Sequence, residues 1–412
     1  LATDNWDVRH TYSVDGSPTT ANIYTGTSPT GAWKTILVAG LGKGGRGFYA
    51  LDVTDPDNPK GLWEICSDSS LCAISDTDMG YSFGQAVITK RASDGKWVVV
   101  VTSGYNNVGP GTGKGYVYVL DAQTGAILRK VTTNVGDTTT PSGLSKLSGY
   151  AINPIANNTS VYLYGGDLLG NLWRVDLQVD PPVIKHIADL IDTSGKRQSV
   201  TTKPEITVID GKPVIYIGTG RYLGTDDLSD PATLGLPWAY QQSIYAIRDK
   251  DVDYANVRTS GRLVQQTLTD SGTTRTVSSN LVDYANKDGW YIDLNPGGTS
   301  PGERVNLDIQ IASGTVVVVT NVPNNNACTV GGDSFLYSFD FKSGAAVDTS
   351  PGGLAGQKIT GQIAVGNIVV QLPNKDIKTI ITGATGDKTT FAVPRSSGGG
   401  GARRLSWREL FQ

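Results

Sequence analysis

One unit of strand, turn and strand recurs along this chain, and it constrains the fold more than any other feature. Its clearest copy is Val161-Tyr-Leu-Tyr-Gly-Gly-Asp-Leu-Leu-Gly-Asn-Leu-Trp-Arg-Val-Asp-Leu177. Val161 to Tyr164 are β-branched and aromatic, the types that fill a pleated, half-buried surface. Gly165, Gly166, Asp167, Gly170 and Asn171 supply turn chemistry, because glycine and asparagine tolerate positive φ. Leu172 to Asp176 then runs out as a second strand. Four more copies follow the same plan: Thr35–Gly40 leads to Gly47–Asp52, Val98–Gly104 to Gly115–Asp121, Pro213–Gly218 to Gln242–Arg248, and Thr315–Thr320 to Asp333–Asp340. In each, a buried strand ends in small residues, a variable loop follows, and a strand with an aromatic residue closes. Four copies end on an acid, Asp52, Asp121, Asp176 and Asp340; the fifth has Arg248 there and Asp249 one step later. Gln-Thr-Gly125 and Lys-Ser-Gly344 follow Asp121 and Asp340, so the acid is expected to start a turn by accepting backbone N–H bonds. An acid repeated in every unit reads as structural. Radial repetition of small sheets is a β-propeller. The expectation is an all-β chain with six or seven irregular blades, N-terminal strands helping to close the ring with C-terminal ones.

The regular repeats argue for one domain over residues 1–394, followed by a flexible linker and C-terminal tail at 395–412. No window of ten or more residues shows apolar 3.6 periodicity, so helices are not expected. Strands are expected at 48–53, 96–103, 115–121 and 314–322, and further ones at 9–14, 83–89, 183–189, 199–209, 288–293, 303–311, 360–372 and 376–383. Long loops are expected at 104–115, 133–149, 220–241, 268–287 and 343–357. A formal charge of −3 leaves no electrostatic footprint for nucleic acid. No run of 18 apolar residues is present, so no membrane-spanning helix is expected. No signal peptide opens the chain, which reads as a processed protein or a fragment and says nothing about compartment.

Chemistry-bearing motifs are few. Cys66 and Cys72 stand in a polar stretch with C-x5-C spacing, which is not a zinc-knuckle spacing; a local disulfide is expected. Cys328 is then unpaired within this chain or pairs with a segment outside it. His10 and His186 lie far apart, without a partner pattern for nucleophilic catalysis. Gly40-Leu-Gly-Lys-Gly-Gly-Arg-Gly47 resembles a phosphate loop in its glycines, but Phe48–Asp52 follows as a strand where such a loop needs a helix N-terminus. Trp33, Trp63, Trp97, Trp173, Trp238 and Trp290 are expected in the core and between blades rather than in sugar stacking.

Several blocks, in order, resemble the C-terminal domain of the PilY/PilC family of type IV pilus tip and biogenesis proteins. They are Val14–Thr19, Leu37–Gly42, Tyr49–Pro56, Gly80–Gly84, Gly165–Arg174, Gly218–Tyr222, Gly289–Asp293, Gly302–Arg304 and the closing Arg403–Leu410. The resemblance spans nearly the whole chain. It implies a modified β-propeller and a non-enzymatic, exported protein of the cell surface or pilus tip, passing through the periplasm or outer membrane. It implies minor pilins and other pilus components as partners, with adhesion to a host-cell or surface receptor. Two other classes stand beside it: a quinoprotein-type propeller dehydrogenase, which would need a cofactor pocket with a metal and a base, and a carbohydrate- or protein-binding propeller outside the pilus system.

Many members of the family carry an acidic calcium loop just before the Tyr-Gly-Gly-Asp hairpin. Calcium wants six to eight hard oxygens. The matching segment here, Asn153–Val161, offers Asn153, Asn157 and Thr159 at alternate positions but no carboxylate, so no metal is expected there. The alternative calcium ligands are Asp249, Asp251 and Asp253, which would have to converge in a turn although Tyr254 stands where a calcium loop has glycine. No other cofactor is expected.

Overall fold

Runs of β-branched residues become central strands covered on both faces. Val98 to Val101 in Trp97–Thr102 and Val316 to Val319 in Thr315–Pro323 are all buried. Each such valine removes enough apolar surface from water to contribute about 1.5–3 kcal/mol. The computed structural model describes residues 12–26, 30–153, 157–236, 238–298, 302–324 and 331–396. Among them there is no α-helix, only short 3-10 turns at Gly42–Gly44, Thr225–Leu228, Pro231–Leu234 and Pro351–Gly353. The glycine-rich stretch after Gly40 thus forms one tight turn and feeds the strand Gly47–Asp52. No helix among the described residues is long and apolar enough to cross a membrane, which says nothing of β-barrels.

The described residues group into two compact units. One runs up to Gly165 and takes in Val175–Lys185; the other holds Gly166–Arg174 and continues from His186. In the first, Thr19–Thr25, Ala32–Gly40, Gly47–Asp52 and Lys60–Cys66 form an antiparallel meander, with Ile74–Ser75 added in parallel. Val87–Arg91, Trp97–Thr102, Tyr116–Asp121 and Ile127–Thr132 form a second meander. Ile36, Val38, Phe48, Ile65, Val99, Val101, Tyr118 and Leu120 share one core across these two sheets.

In the second unit, Glu205–Ile209, Lys212–Gly218, Ser243–Arg248 and Gly289–Asp293 pair antiparallel, and Leu263–Gln266 joins in parallel at the edge. Gln310–Ala312, Thr315–Pro323, Gly332–Asp340 and Leu354–Ile359 form the next sheet. Ala364–Gln371, Ile377–Gly383 and Lys388–Ala392 form the last. A further run of successive strands, Leu147–Ala151, Thr159–Gly166, Asn171–Asp176 and Val183–Asp189, is divided by the boundary between the units. Hydrogen bonding joins the described strands into five irregular sheets, because Thr159 and Ser160 pair in parallel with Lys90 and Arg91 and link this run to the second meander.

Four of the repeated copies are antiparallel pairs in register, for example Thr35 with Asn22 on one side and Val38 with Ala50 on the other. Corrections fall where pairing is non-local. Residues 268–287 were expected to be a loop, yet Leu268–Asp270 and Thr274–Val277 form a hairpin that adds to Leu354–Ile359, far along the chain. The same pairing makes a strand of the end of the expected loop 343–357, and Leu147–Ala151 does so at the end of 133–149. The expected strand 199–209 shrinks to Glu205–Ile209 and 303–311 to Gln310–Ala312, because their first halves hydrogen-bond singly with loops, as Val305 N–H does with the Thr219 carbonyl at 3.0 Å. Of the expected strand 9–14, residues 12–14 are irregular and the rest, with His10, lies outside the described residues. The expected linker and tail beyond Ser396, and Cys328, lie outside them too.

Candidate functional site

The turn at the centre of the recurring hairpin is built on Asp167. Its side chain is fully buried and accepts hydrogen bonds from the backbone N–H of Leu169 and Asn171, from the Asn171 amide and, at 2.9 Å, from the Trp173 indole. Gly166 before it must be glycine for packing, since a Cβ there would lie 2.6 Å from the Val200 side chain. The acids that end the repeated strands behave alike. Asp52 accepts from Thr54 N–H, Asp121 from Gln123 and Thr124 N–H, Asp176 from Gln178 N–H, and Asp340 from Lys342 and Ser343 N–H. In the deviant copy Asp249 takes over the task one residue later, accepting from Asp251 N–H at 2.7 Å. These carboxylates serve turns. The Thr54 hydroxyl, and after it the Lys34 ammonium, hold the Asp52 carboxyl down at about 2.

The turns that Asp121 and Asp340 open also hold tryptophans. Trp63 donates its indole N–H to the Ala122 carbonyl at 3.1 Å and lies against Gly125, where a Cβ would meet the ring at 2.6 Å. Trp290 repeats the arrangement: its N–H reaches the Phe341 carbonyl at 3.2 Å, and a Cβ on Gly344 would meet the ring at 2.5 Å. Gly125 and Gly344 both have positive φ, so the Asp-x-x-x-Gly turn needs glycine for its backbone and for the ring beside it. Trp63, Trp173 and Trp290 are thus packing residues, as expected. Trp33 is not: it is 59% exposed, a correction that follows from its place at the start of Ala32–Gly40, ahead of Ile36, where pairing with Gly47–Asp52 begins. Trp97 is half-buried, and Trp238 carries the Arg221 guanidinium 3.9 Å above its ring.

The acids Asp249, Asp251 and Asp253 follow the strand Ser243–Arg248 in an irregular segment, with Asp251 at positive φ. Basic side chains of the same unit meet each of them. Arg174, buried, pairs with Asp249 at 2.8 Å and with Asp251, and His186 meets Asp253 at 2.9 Å. The Arg174 guanidinium therefore already pairs with two of the three acids of the alternative calcium set. Of the segment 153–161, residues 154–156 lie outside the described residues. At its ends the Asn153 carbonyl accepts from Asn157 N–H at 2.9 Å and the Asn157 side chain accepts from the Thr159 hydroxyl at 2.5 Å. Cys66, at the end of Lys60–Cys66, and Cys72 are joined by a disulfide that closes the loop between them.

A second polar centre escaped sequence reasoning. Glu303 is fully buried and accepts from Arg275 at 2.5 Å, from the Tyr337 hydroxyl at 2.8 Å and from the Thr320 hydroxyl at 2.6 Å. Arg275 lies 3.6 Å above the Phe335 ring. Burial first, and then the neighbouring Glu303 charge, keep the Tyr337 hydroxyl protonated well beyond its usual range. The next residue, Arg304, donates to the carbonyls of Arg221 and Asp227, tying down the loop after Lys212–Gly218. The block Gly302–Arg304 was visible in the sequence as a motif; its partners, from four separate strands and loops, were not.

Every acid singled out from the sequence is thus engaged by backbone donors or by a cation, and the geometry is that of rigid turns holding variable loops. A family model described as the PilY1 beta-propeller domain matches residues 3–281. The chain belongs to the PilY1 β-propeller family. The type IV pilus biogenesis factor PilY1 of Pseudomonas aeruginosa is 33% identical over 396 residues, 85% of this chain and 32% of its own length. A PilY1 homolog of Xylella fastidiosa is 29% identical over 422 residues, 98% of this chain and 32% of its own. The chain thus spans about a third of the curated relatives it matches. The crystal structure of the Pseudomonas aeruginosa PilY1 C-terminal domain superposes with a TM-score of 0.71 at 26% identity, covering 92% of this chain and 83% of that one. Three of the blocks quoted from the sequence hold joints of this fold: the Asp167 turn, the Glu303 centre and the Trp290 packing.

Proposed function

We propose that this domain is a non-enzymatic part of a type IV pilus assembly factor, working at the cell surface or pilus tip. It contacts minor pilins and other pilus components through loops held on the rigid sheets, promotes pilus extension, and supports attachment to a surface or host-cell receptor. The observation that carries the reading is its likeness to PilY1 of Pseudomonas aeruginosa over 85% of the chain. The Cys66–Cys72 disulfide supports export, since such bonds persist in oxidising compartments. Loops on a rigid scaffold are where binding residues concentrate. The test is deletion of the gene, a count of surface pili, and rescue with and without this domain. Piliation and pilin association that are unchanged by the deletion would defeat the reading.

The domain is further proposed to bind no calcium at Asn153, Asn157 and Thr159, for want of a carboxylate. An ion that bound only the folded state would stabilise it by about 2.7 kcal/mol at a hundredfold excess over its Kd. Melting curves in millimolar calcium and in chelator are expected to coincide. An upward shift abolished by Asn157→Ala would place an ion in the first segment; one abolished only by Asp251→Ala would place it at Asp249, Asp251 and Asp253.

A further inference from the structure

Two cross-strand pairs from neighbouring sheets of the first unit face each other. Tyr24 stands opposite Trp33 across Thr19–Thr25 and Ala32–Gly40, and Lys90 stands opposite Trp97 across Val87–Arg91 and Trp97–Thr102. The Tyr24 and Trp33 rings meet edge to face, with centroids 5.4 Å apart and planes at 67°. Trp33 and Trp97 do the same at 6.2 Å and 75°. The rings therefore line a corner, which with Lys96 and Gln123 borders an open cleft of about 520 Å³, within the usual range for small-ligand sites. Trp33 leaves more than half of its surface in water at this cleft, against the tendency of large aromatics to be covered.

The polar groups of the cleft favour an anion. The Lys90 ammonium lies 5.3 Å from the Trp97 ring centroid, and Lys96 is exposed at the rim, 3.9 Å from Asp94. The acid in the lining, Asp121, already accepts three hydrogen bonds on one oxygen from the turn that follows it. Asp94 is engaged by Arg91 at 2.7 Å. The Trp97 indole N–H is itself buried and has no acceptor among the described residues.

We propose that this corner binds an acidic saccharide, a pyranose ring that carries a carboxylate. The weakly positive C–H face of the pyranose lies on the electron-rich face of Trp33, and the carboxylate meets Lys90 and Lys96. A proline-rich helix would want a groove of aromatic ridges along its length, whereas the near-perpendicular rings here suit one compact ring system. The proposal rests on the surface-attachment part of the function above, but its test does not depend on pilus assembly.

The purified chain is titrated with hexagalacturonate and with 3′-sialyllactose, using cellohexaose as the neutral control and a proline-rich decapeptide as the peptide control. Binding is read by calorimetry and by tryptophan fluorescence. Saturable binding of one or both acidic sugars, weaker in salt, is expected. Trp33→Ala should weaken it about tenfold while lowering the melting temperature by only a few degrees, since the ring is more than half exposed and loses only its edge contacts with Tyr24 and Trp97. The double substitution Lys90→Ala, Lys96→Ala should erase the preference over cellohexaose. Failure of both acidic sugars to bind, binding untouched by Trp33→Ala, equal affinity for cellohexaose, or preference for the peptide would each overturn the proposal. In cells, Trp33→Ala should leave the number of pili unchanged while attachment to a surface coated with the bound sugar falls. Loss of pili in the gene deletion with normal attachment by Trp33→Ala would retain the pilus role and remove the saccharide.

Discussion

Asp167→Ala tests whether the recurring hairpin depends on its buried acid. The substitution removes the acceptor for the Asn171 backbone N–H at 2.9 Å and the Trp173 indole at 2.9 Å, both in buried residues, and for the Leu169 N–H at 3.0 Å. Water can reach Leu169, which is half-buried. The two buried donors are left unsatisfied at about 1–3 kcal/mol each, and a loss of about 3–5 kcal/mol follows once the Asn171 amide is counted. For a cooperative unit of this size that corresponds to a fall in melting temperature on the order of 10 °C. Asp176→Ala is the matched control. Its carboxylate accepts from Gln178 N–H on an exposed turn, so its removal should cost less than about 1 kcal/mol. Urea unfolding followed by tryptophan fluorescence reads both, with Trp173 itself a reporter of the site. If Asp167→Ala lies within about 1 kcal/mol of the unsubstituted protein, or matches Asp176→Ala, the reasoning is refuted.

Gly344→Ala places a methyl group against the Trp290 ring at a residue with φ of +69°, and should cost about 2–4 kcal/mol. Gly195→Ala, with φ of +78° and open space around it, should cost about 1 kcal/mol; equal losses in thermal melting would show that the ring contact is immaterial. Cys66→Ser opens the Cys66–Cys72 loop and should cost about 2 kcal/mol in the chain-entropy account. Thiol titration of the denatured, non-reduced protein should find one thiol, and three would refute the bond. Asp52, its carboxyl depressed to about 2, contributes stability that is present above its unfolded value of 3.8 and lost as pH falls through about 2. Thr54→Val should move that loss to higher pH in acid melts, and an unshifted acid limb would count against the hydroxyl as its main cause.

Local chemistry was legible in the sequence because it is decided within a few residues. The acids Asp52, Asp121, Asp176 and Asp340 open turns because each carboxylate reaches N–H groups two or three residues on. Cys66 and Cys72 lie close enough along the chain to meet whatever surrounds them. The strands with continuous valine runs declared themselves, since only a strand covered on both faces tolerates them. Order along the chain also carried the family, through blocks of which three, Gly165–Arg174, Gly289–Asp293 and Gly302–Arg304, hold joints of the fold. Tertiary structure alone decided the rest. The hairpin Leu268–Asp270 and Thr274–Val277 is too short to stand by itself and exists by pairing with Leu354–Ile359. Glu303 gains its partners Arg275, Thr320 and Tyr337 from strands that sequence spacing does not relate. Trp33 and Trp290 read alike as residues, yet one is more than half in water and the other fully covered, because Trp33 lies ahead of the part of its strand that pairs with Gly47–Asp52 while Trp290 packs against the turn that holds Phe341 and Gly344.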